Sequence, residues 1–406
     1  MTEIYGLATL WLGLALLATL LSIWLRIATA MSEIIVGTVA QLIIGAALGA
    51  SALGTDQSWI KFLASIGAVV LTFLAGAELD PQVMRREWKQ ATVVGLVAFL
   101  APFLGCALTA RFLLGWGSDA SWLAGIALST TSVAVVYAVM LEFGLNRTEY
   151  GKVVLAACFV NDLATVLALG FKFAPFGYRT LTFAGGSAAA FVVLPWLVPR
   201  FFARYGGRPS ELEAKLLLLA MFALGALALW AGSEPVLPAY ILGMILASTV
   251  GKDHSLVRRL RTLTFGLLTP FYFIRAGSFV SLPALAAGLG ILGALLGSKM
   301  LTKFIGVYPV TRVFGAPLKE SMYTTLLMST GLTFGSISAL FGLAHGIIDQ
   351  RQYSYLIAAV IGSAIVPTLV ANGFFLPHHL LPRREVPEAP PAAATGSRGW
   401  STVPDD

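Results

Sequence analysis

Apolar stretches of membrane-spanning length recur along almost the whole chain, and they constrain its fold more than any other feature. A helix needs about 20 mostly apolar residues to cross the hydrocarbon core of a bilayer. At that length the 406-residue sequence offers thirteen spans, at 7–25, 34–53, 59–78, 91–114, 121–141, 151–172, 180–199, 214–231, 236–250, 262–280, 284–308, 319–343 and 353–375. Helix is the expected state because backbone polar groups inside lipid must be satisfied within the segment. Only 12% of residues are charged, about half the share of a soluble domain, and mean hydropathy is +0.83. These values exclude an ordinary water-soluble enzyme. The connecting residues leave no room for an appended soluble domain.

The placement of charge predicts an orientation. The formal charge is +7, but the basic residues lie between apolar spans rather than in a nucleic-acid-binding patch. With the amino terminus outside, 19 of the 27 Lys and Arg residues fall on the cytoplasmic side, five fall outside and three lie within spans. Such a bias predicts an external amino terminus and a cytoplasmic carboxyl terminus. Ala28-Thr29-Ala30 resembles a cleavage site, yet the amino terminus lacks a basic leader region and the run 7–25 is long, so it reads as the first membrane helix. Cys106 and Cys158 sit inside apolar runs and imply no disulfide framework. Residues 377–406 turn polar and rich in proline and alanine, which predicts a disordered cytoplasmic tail.

The two halves of the chain echo each other. Phe73-Leu-Ala-Gly-Ala-Glu-Leu-Asp-Pro81 is similar to Phe273-Ile-Arg-Ala-Gly-Ser-Phe-Val-Ser-Leu-Pro283. Leu128-Ser-Thr-Thr-Ser132 lies in the middle of span five, and Met328-Ser-Thr-Gly-Leu332 near the middle of span twelve. Spans five and twelve run in opposite directions, which predicts two six-helix units, spans 1–6 and 8–13, in inverted topology with 180–199 as linker. Matched interruptions at Ser129, Thr130, Thr131 and Ser132 and at Ser329, Thr330 and Gly331 point to broken helices around a midplane site. Close helix packing by small residues is the plainer reading of either cluster alone.

Asp162, at the centre of span six, is the most informative residue. An acid at that depth is costly unless it is protonated, paired or bound to a cation. It is either one half of a structural ion pair with Lys303 or a group that holds a proton and a cation in turn. Asn161, beside it, either packs as an amide or bridges exposed backbone in the broken helices. Lys299 and Lys303 share one face of span eleven; Lys303 is the preferred partner of Asp162, and Lys299 is expected to snorkel toward an interface. Arg275 is a second candidate charge partner, although backbone carbonyls of a neighbouring helix suit it better. Glu78 and Asp80 read as surface-paired acids beside Arg85 and Arg86. The four histidines, His254, His345, His378 and His379, occupy loops or span ends, and no metalloenzyme site or Ser/His/Asp set is legible.

With these residues in place, the sequence resembles the monovalent cation:proton antiporter superfamily in its Kef-like and GerN-like branch. The likeness rests on Phe159-Val-Asn-Asp-Leu-Ala-Thr-Val-Leu-Ala-Leu-Gly170, Phe73-Leu-Ala-Gly-Ala-Glu-Leu-Asp80, Lys303-Phe-Ile-Gly-Val-Tyr-Pro309, Ser329-Thr-Gly-Leu-Thr-Phe-Gly335 and Ser363-Ala-Ile-Val-Pro-Thr368. It implies an all-α polytopic transporter rather than an enzyme, with no cofactor, a prokaryotic-type plasma (inner) membrane location, lipid surroundings and no nucleic-acid partner. It further implies a homodimer with a dimer domain at about 1–80 and 214–282, and a core at about 91–172 and 284–376 that moves as an elevator. By that likeness Na+ and H+ bind in turn at Asp162, beside Asn161, Ser129, Thr130 and Thr131, with Lys303 as the basic residue of the eleventh helix. Electrogenic members carry two adjacent aspartates; Asn161 replaces the first here, which implies electroneutral exchange. Na+ is the first choice of cation, with K+ or Li+ next. The alternatives are a K+/H+ antiporter or efflux system, a sodium-coupled organic-solute symporter of related fold, and a membrane enzyme acting on lipid-linked substrates.

Overall fold

The structure, a computed structural model, describes residues 2–25, 28–49, 51–77, 81–173, 177–208, 210–233, 235–251 and 253–381. Glu78, Asp80 and the tail beyond residue 381 lie outside them. The chain opens with α1 (Thr2–Leu25), α2 (Thr29–Leu48), α3 (Ser58–Ala77), the short α4 (Pro81–Arg86) and α5 (Trp88–Leu108), which a π-turn extends to Leu113. Next come α6 (Ser118–Ser129) and α7 (Val133–Glu142), then the long α8 (Glu149–Phe173), α9 (Tyr178–Tyr205), α10 (Leu212–Trp230) and α11 (Val236–Val250). The last third holds α12 (His254–Leu263), α13 (Thr269–Ser278), α14 (Leu282–Ala287), α15 (Leu289–Val313), α16 (Leu318–Met328), α17 (Thr333–Ala344) and α18 (Gln350–Val370).

Ten helical stretches among the described residues are long and apolar enough to cross a membrane, and the protein is an integral membrane protein. Three of the thirteen expected spans fall short of that length. Val236–Val250 is apolar but has 15 residues. The stretch 121–141 divides into α6 and α7, and 262–280 passes through a π-turn at Thr264–Leu268 before α13. The boundaries also move where apolar residues serve loops. The run 34–53 becomes helix 29–48, and Leu53 folds back so that its carbonyl accepts a 2.9 Å hydrogen bond from Trp11 Nε1. Lys299 and Lys303, which lower the hydropathy of span eleven, do not interrupt it: α15 continues through both to Val313.

The helices pack in two groups. In one, α3 lies along α11, α2 along α13, and α1 against α2 and α13. In the other, α5 packs on α6, α8 and α15, while α16, α17 and α18 close around them. α9 rests on α10 and α11, and α8 meets α11, where the Tyr240 hydroxyl donates to the Phe159 carbonyl at 3.2 Å. The tightest crossings in the first group come as a pair. A Cβ on Gly277 of α13 would overlap the Ile34 carbonyl of α2, and one on Gly37 would overlap the Ile274 carbonyl. Gly76 of α3 and Gly243 of α11 stand in the same relation to the carbonyls of Tyr240 and Phe73. Without a hydrophobic force between helices in lipid, such close backbone approach is a main source of association.

A side chain at either crossing has nowhere to go but into backbone. Gly243→Leu is therefore expected to destabilise the folded protein by about 1–3 kcal/mol, the usual cost of overpacking. A lowered thermal midpoint in detergent would register it. Gly13→Leu, at a position with nothing within 4 Å of the added Cβ, should leave the midpoint unchanged.

Candidate functional site

The site begins with two helices that stop midway. Serine and threonine side chains compete with the backbone for helix hydrogen bonds. Here Ser129 Oγ donates to the Ile126 carbonyl at 2.8 Å and Thr130 Oγ1 to that of Ala127 at 3.1 Å. The chain turns extended at Thr130, with ψ at 149°, and α7 starts at Val133. In the second half Ser329 Oγ donates to the Thr325 carbonyl and Thr330 Oγ1 to the Leu327 carbonyl, both at 2.7 Å. Helical order resumes there at Thr333.

The two breaks cross and bond to each other. The Ser132 N–H donates to the Thr330 carbonyl at 3.1 Å, and Thr131 Oγ1 to the Met328 carbonyl at 2.8 Å. Ser129 through Ser132, with Ser329 and Thr330, are completely buried. The crossing thus gathers the carbonyl ends of α6 and α16 and the amide ends of α7 and α17. Helix ends of those two kinds carry partial negative and partial positive charge.

α8 brings the amide and the acid to this crossing. Asn161 Oδ1 accepts the Thr131 N–H at 2.9 Å, while its Nδ2 donates to the Ser129 carbonyl at 3.3 Å. It therefore straps the first broken helix on both sides of Thr130 and, among the described residues, makes no side-chain hydrogen bond to the second. Asp162 is 1% exposed, and its Oδ1 has no hydrogen-bond partner among the described residues. Nor does it make an ion pair within 4.0 Å among them. A charged carboxylate oxygen left without a partner at this depth would carry a large desolvation cost.

The lysines are placed differently from the sequence reading. Lys303, the preferred ion-pair partner of Asp162, donates instead to Thr131 Oγ1 at 3.1 Å. Lys299 does not snorkel: it is fully buried, with Nζ donating to Ser363 Oγ at 2.9 Å and to the Thr130 carbonyl at 3.3 Å. The reason is room and charge together. A Cβ on Gly331 would overlap Lys299 Nζ and come within 2.9 Å of Thr130 Oγ1, so glycine leaves the ammonium its seat. The carbonyl end of α6 then offers it a negative pole. Arg275 belongs elsewhere: its Nε donates to the Thr55 carbonyl at 2.9 Å and its guanidinium lies 4.9 Å from the Phe279 ring centre.

The crossing thus assembles Asp162, Asn161, Ser129–Ser132, Ser329–Gly331 and Lys303. It adds Lys299 and Ser363, which sequence reasoning left out of the site. The i, i+4 spacing of the two lysines, which puts them on one helix face, was the available signal for Lys299. No cluster of three or more His, Cys, Asp or Glu side chains fit to hold a metal occurs among the described residues. What the arrangement gathers is one carboxyl, the hydroxyls and backbone of two crossed breaks, and two lysine side chains.

Comparison with known proteins leads the same way. The sequence profile of the family described as "Sodium/hydrogen exchanger, transmembrane" matches residues 12–374. The chain is 27% identical over 347 residues to the probable Na(+)/H(+) antiporter 3 of Methanocaldococcus jannaschii, covering 83% of this chain and 89% of that one. It is 27% identical over 372 residues to the cation/H(+) antiporter 17 of Arabidopsis thaliana, covering 84% of this chain but 45% of the plant protein, so it spans about half the length of that relative. The solved structure of the sodium proton antiporter MjNhaP1 from Methanocaldococcus jannaschii superposes with a TM-score of 0.69 over 92% of this chain and 96% of that one, at 18% identity. That likeness shows a shared fold. By the extent of the profile match, the chain belongs to the sodium/hydrogen exchanger family of membrane transporters.

Proposed function

We propose that the protein exchanges a monovalent cation, Na+ first and Li+ or K+ next, for H+ across the membrane, one for one and without net charge movement. The observation that carries this reading is Asp162: a fully buried carboxyl with a bare oxygen, at the crossing of two broken helices. One switching group takes either a cation or a proton, and each trip in either direction then moves a single charge. Asn161 keeps the unwound backbone in shape, while Lys303 and Lys299 compensate the carbonyl ends of the half-helices.

Alternating access follows in this reading from the two packing groups. α1–α3 with α10, α11 and α13 form the scaffold and the homodimer contact. α5–α8 with α15–α18 form the core that carries the site past them, with α9 as linker. The matched glycine crossings support an inverted repeat: Gly37 and Gly76 in the second and third spans answer Gly243 and Gly277 in the ninth and tenth. Counting the broken helices and the two segmented or short spans as crossings gives thirteen, with the amino terminus outside and the carboxyl terminus in the cytoplasm of a plasma membrane. The likeness to a probable Na(+)/H(+) antiporter and to a cation/H(+) antiporter supports the choice of cargo.

Purified protein in liposomes with an internal pH dye tests the reading. Na+ added outside an acid-loaded vesicle should dissipate the pH gradient, with Li+ and K+ giving smaller responses at equal concentration. An imposed membrane potential should leave the rate unchanged. A response to K+ alone would move the assignment to potassium efflux, and a rate that follows the potential would reject one-for-one exchange. Solute-dependent sodium uptake with no proton movement would favour the organic-solute symporter.

A further inference from the structure

Away from the crossing, a cavity of about 760 Å³ lies between the last turns of α8, the first half of α9 and the start of α11. Its walls are apolar, with Leu167, Phe171, Leu181, Phe191, Leu237 and Ile241 among them. Thr180, Ser187 and Ser233 interrupt them. Ser187 lines the cavity at 6% exposure, and its Oγ has no partner among the described residues. A hydroxyl so placed is an unmet donor and acceptor in a space that the protein's own side chains leave open.

The rim is cationic. Tyr178 lines the cavity at the start of α9, and Arg179 follows it. The Arg179 guanidinium lies 5.8 Å from the Tyr178 ring centre and 5.5 Å from that of Trp230, and its Nε donates to the Tyr178 hydroxyl at 3.2 Å. Tyrosine and tryptophan concentrate at the level of lipid headgroups, and these two rings flank the guanidinium. No carboxylate lies within 4.0 Å of it among the described residues. Lys172, next to the lining residue Phe171, is already paired with Asp119 at 2.9 Å. Arg179 thus has no carboxylate partner among the described residues, and a guanidinium presents the paired donors that fit a phosphate.

From this combination we infer that the groove between α8, α9 and α11 binds one anionic glycerophospholipid, its phosphate on Arg179, an acyl chain along the apolar walls and a linkage oxygen on Ser187. The occupant is committed by complementarity: a guanidinium with no ion pair among the described residues adjoins, through Tyr178 and Thr180, an apolar slot that holds the unmet Ser187 hydroxyl. The inference does not depend on the transported ion.

Native mass spectrometry of the full chain, exchanged into detergent and titrated with phosphatidylglycerol or phosphatidylcholine, tests it. Wild-type protein is expected to retain one phosphatidylglycerol more tightly than any phosphatidylcholine. Arg179→Gln should weaken that first binding event about tenfold, in line with the loss of one charge-assisted contact. Ala184→Trp, which fills the slot from the wall, should abolish it while leaving the lipid-free thermal midpoint unchanged. Equal retention of both lipids, or retention unaffected by either substitution, would overturn the inference. So would full protection by inorganic phosphate alone, which would place a free anion on the arginine and leave the slot unexplained. Should Ala184→Trp lower the lipid-free midpoint, Ser187→Leu serves as the filling variant, with the same loss expected.

Discussion

Asp162→Asn is expected to reduce Na+-driven proton flux in proteoliposomes to the level of protein-free vesicles. The substitution keeps the size of the side chain and removes its ability to ionise. In the proposed mechanism this deletes both cargoes at once, because an amide neither carries the proton nor neutralises the cation. Taking one partner from a buried charge pair costs about 3–5 kcal/mol, and each 1.4 kcal/mol is roughly tenfold. The expected fall in rate is therefore at least ~100-fold. The fold should survive, since Asp162 Oδ1 makes no bond that the amide would break. A thermal midpoint equal to or above that of the wild type would show this, for a buried carboxyl is replaced by a group that never carries charge. Flux retained at the wild-type rate would remove Asp162 from the mechanism.

Asn161→Ala should be damaging in a different way. Its amide satisfies the Thr131 N–H and the Ser129 carbonyl, the two backbone groups that the break in α6 sets free. Alanine leaves both without this partner in a fully buried place, at about 1–3 kcal/mol for each buried group. The expected outcome is a thermal midpoint several degrees lower together with a rate reduced roughly tenfold or more, since the crossing loses the strap that positions Thr130 and Thr131. The two readouts separate this residue from Asp162, whose removal should cost activity without cost to the fold. An Asn161→Ala protein with normal stability and normal flux would show that the strap is dispensable.

How much of this was legible in the sequence depends on which force decides each feature. Apolar length decides spans, so the helices stand close to where hydropathy put them, and charge between spans is visible in any count. The interruptions were legible because serine, threonine and glycine cluster at Leu128–Ser132 and Met328–Leu332, where local side-chain bonds compete with the helix. What escaped was set by packing across distant segments. Lys299 read as a residue on its way to an interface, because nothing local says that Gly331, 32 positions later, leaves a seat for its ammonium. Lys303 read as the partner of Asp162 because the two are the obvious opposite charges, whereas a threonine hydroxyl takes its bond. Glu33, buried on α2 at 2% exposure, passed unnoticed because it stands just before the apolar run 34–53, where a loop residue was expected. The bend that returns Leu53 to Trp11 was likewise hidden, since apolar residues in a buried loop have the same hydropathy as those in a helix.

The central claim is that one carboxyl holds the cation and the proton alternately, and proton release on cation binding tests it most directly. Calorimetric titration of the detergent-solubilised protein with Na+, repeated in buffers of different ionisation enthalpy, counts the protons displaced per cation bound. The account predicts close to one proton released per Na+ where the empty site is protonated, apparent affinity that weakens as pH falls, and loss of both binding and release in Asp162→Asn. Na+ binding without proton release, or release that persists unchanged in Asp162→Asn, would contradict it.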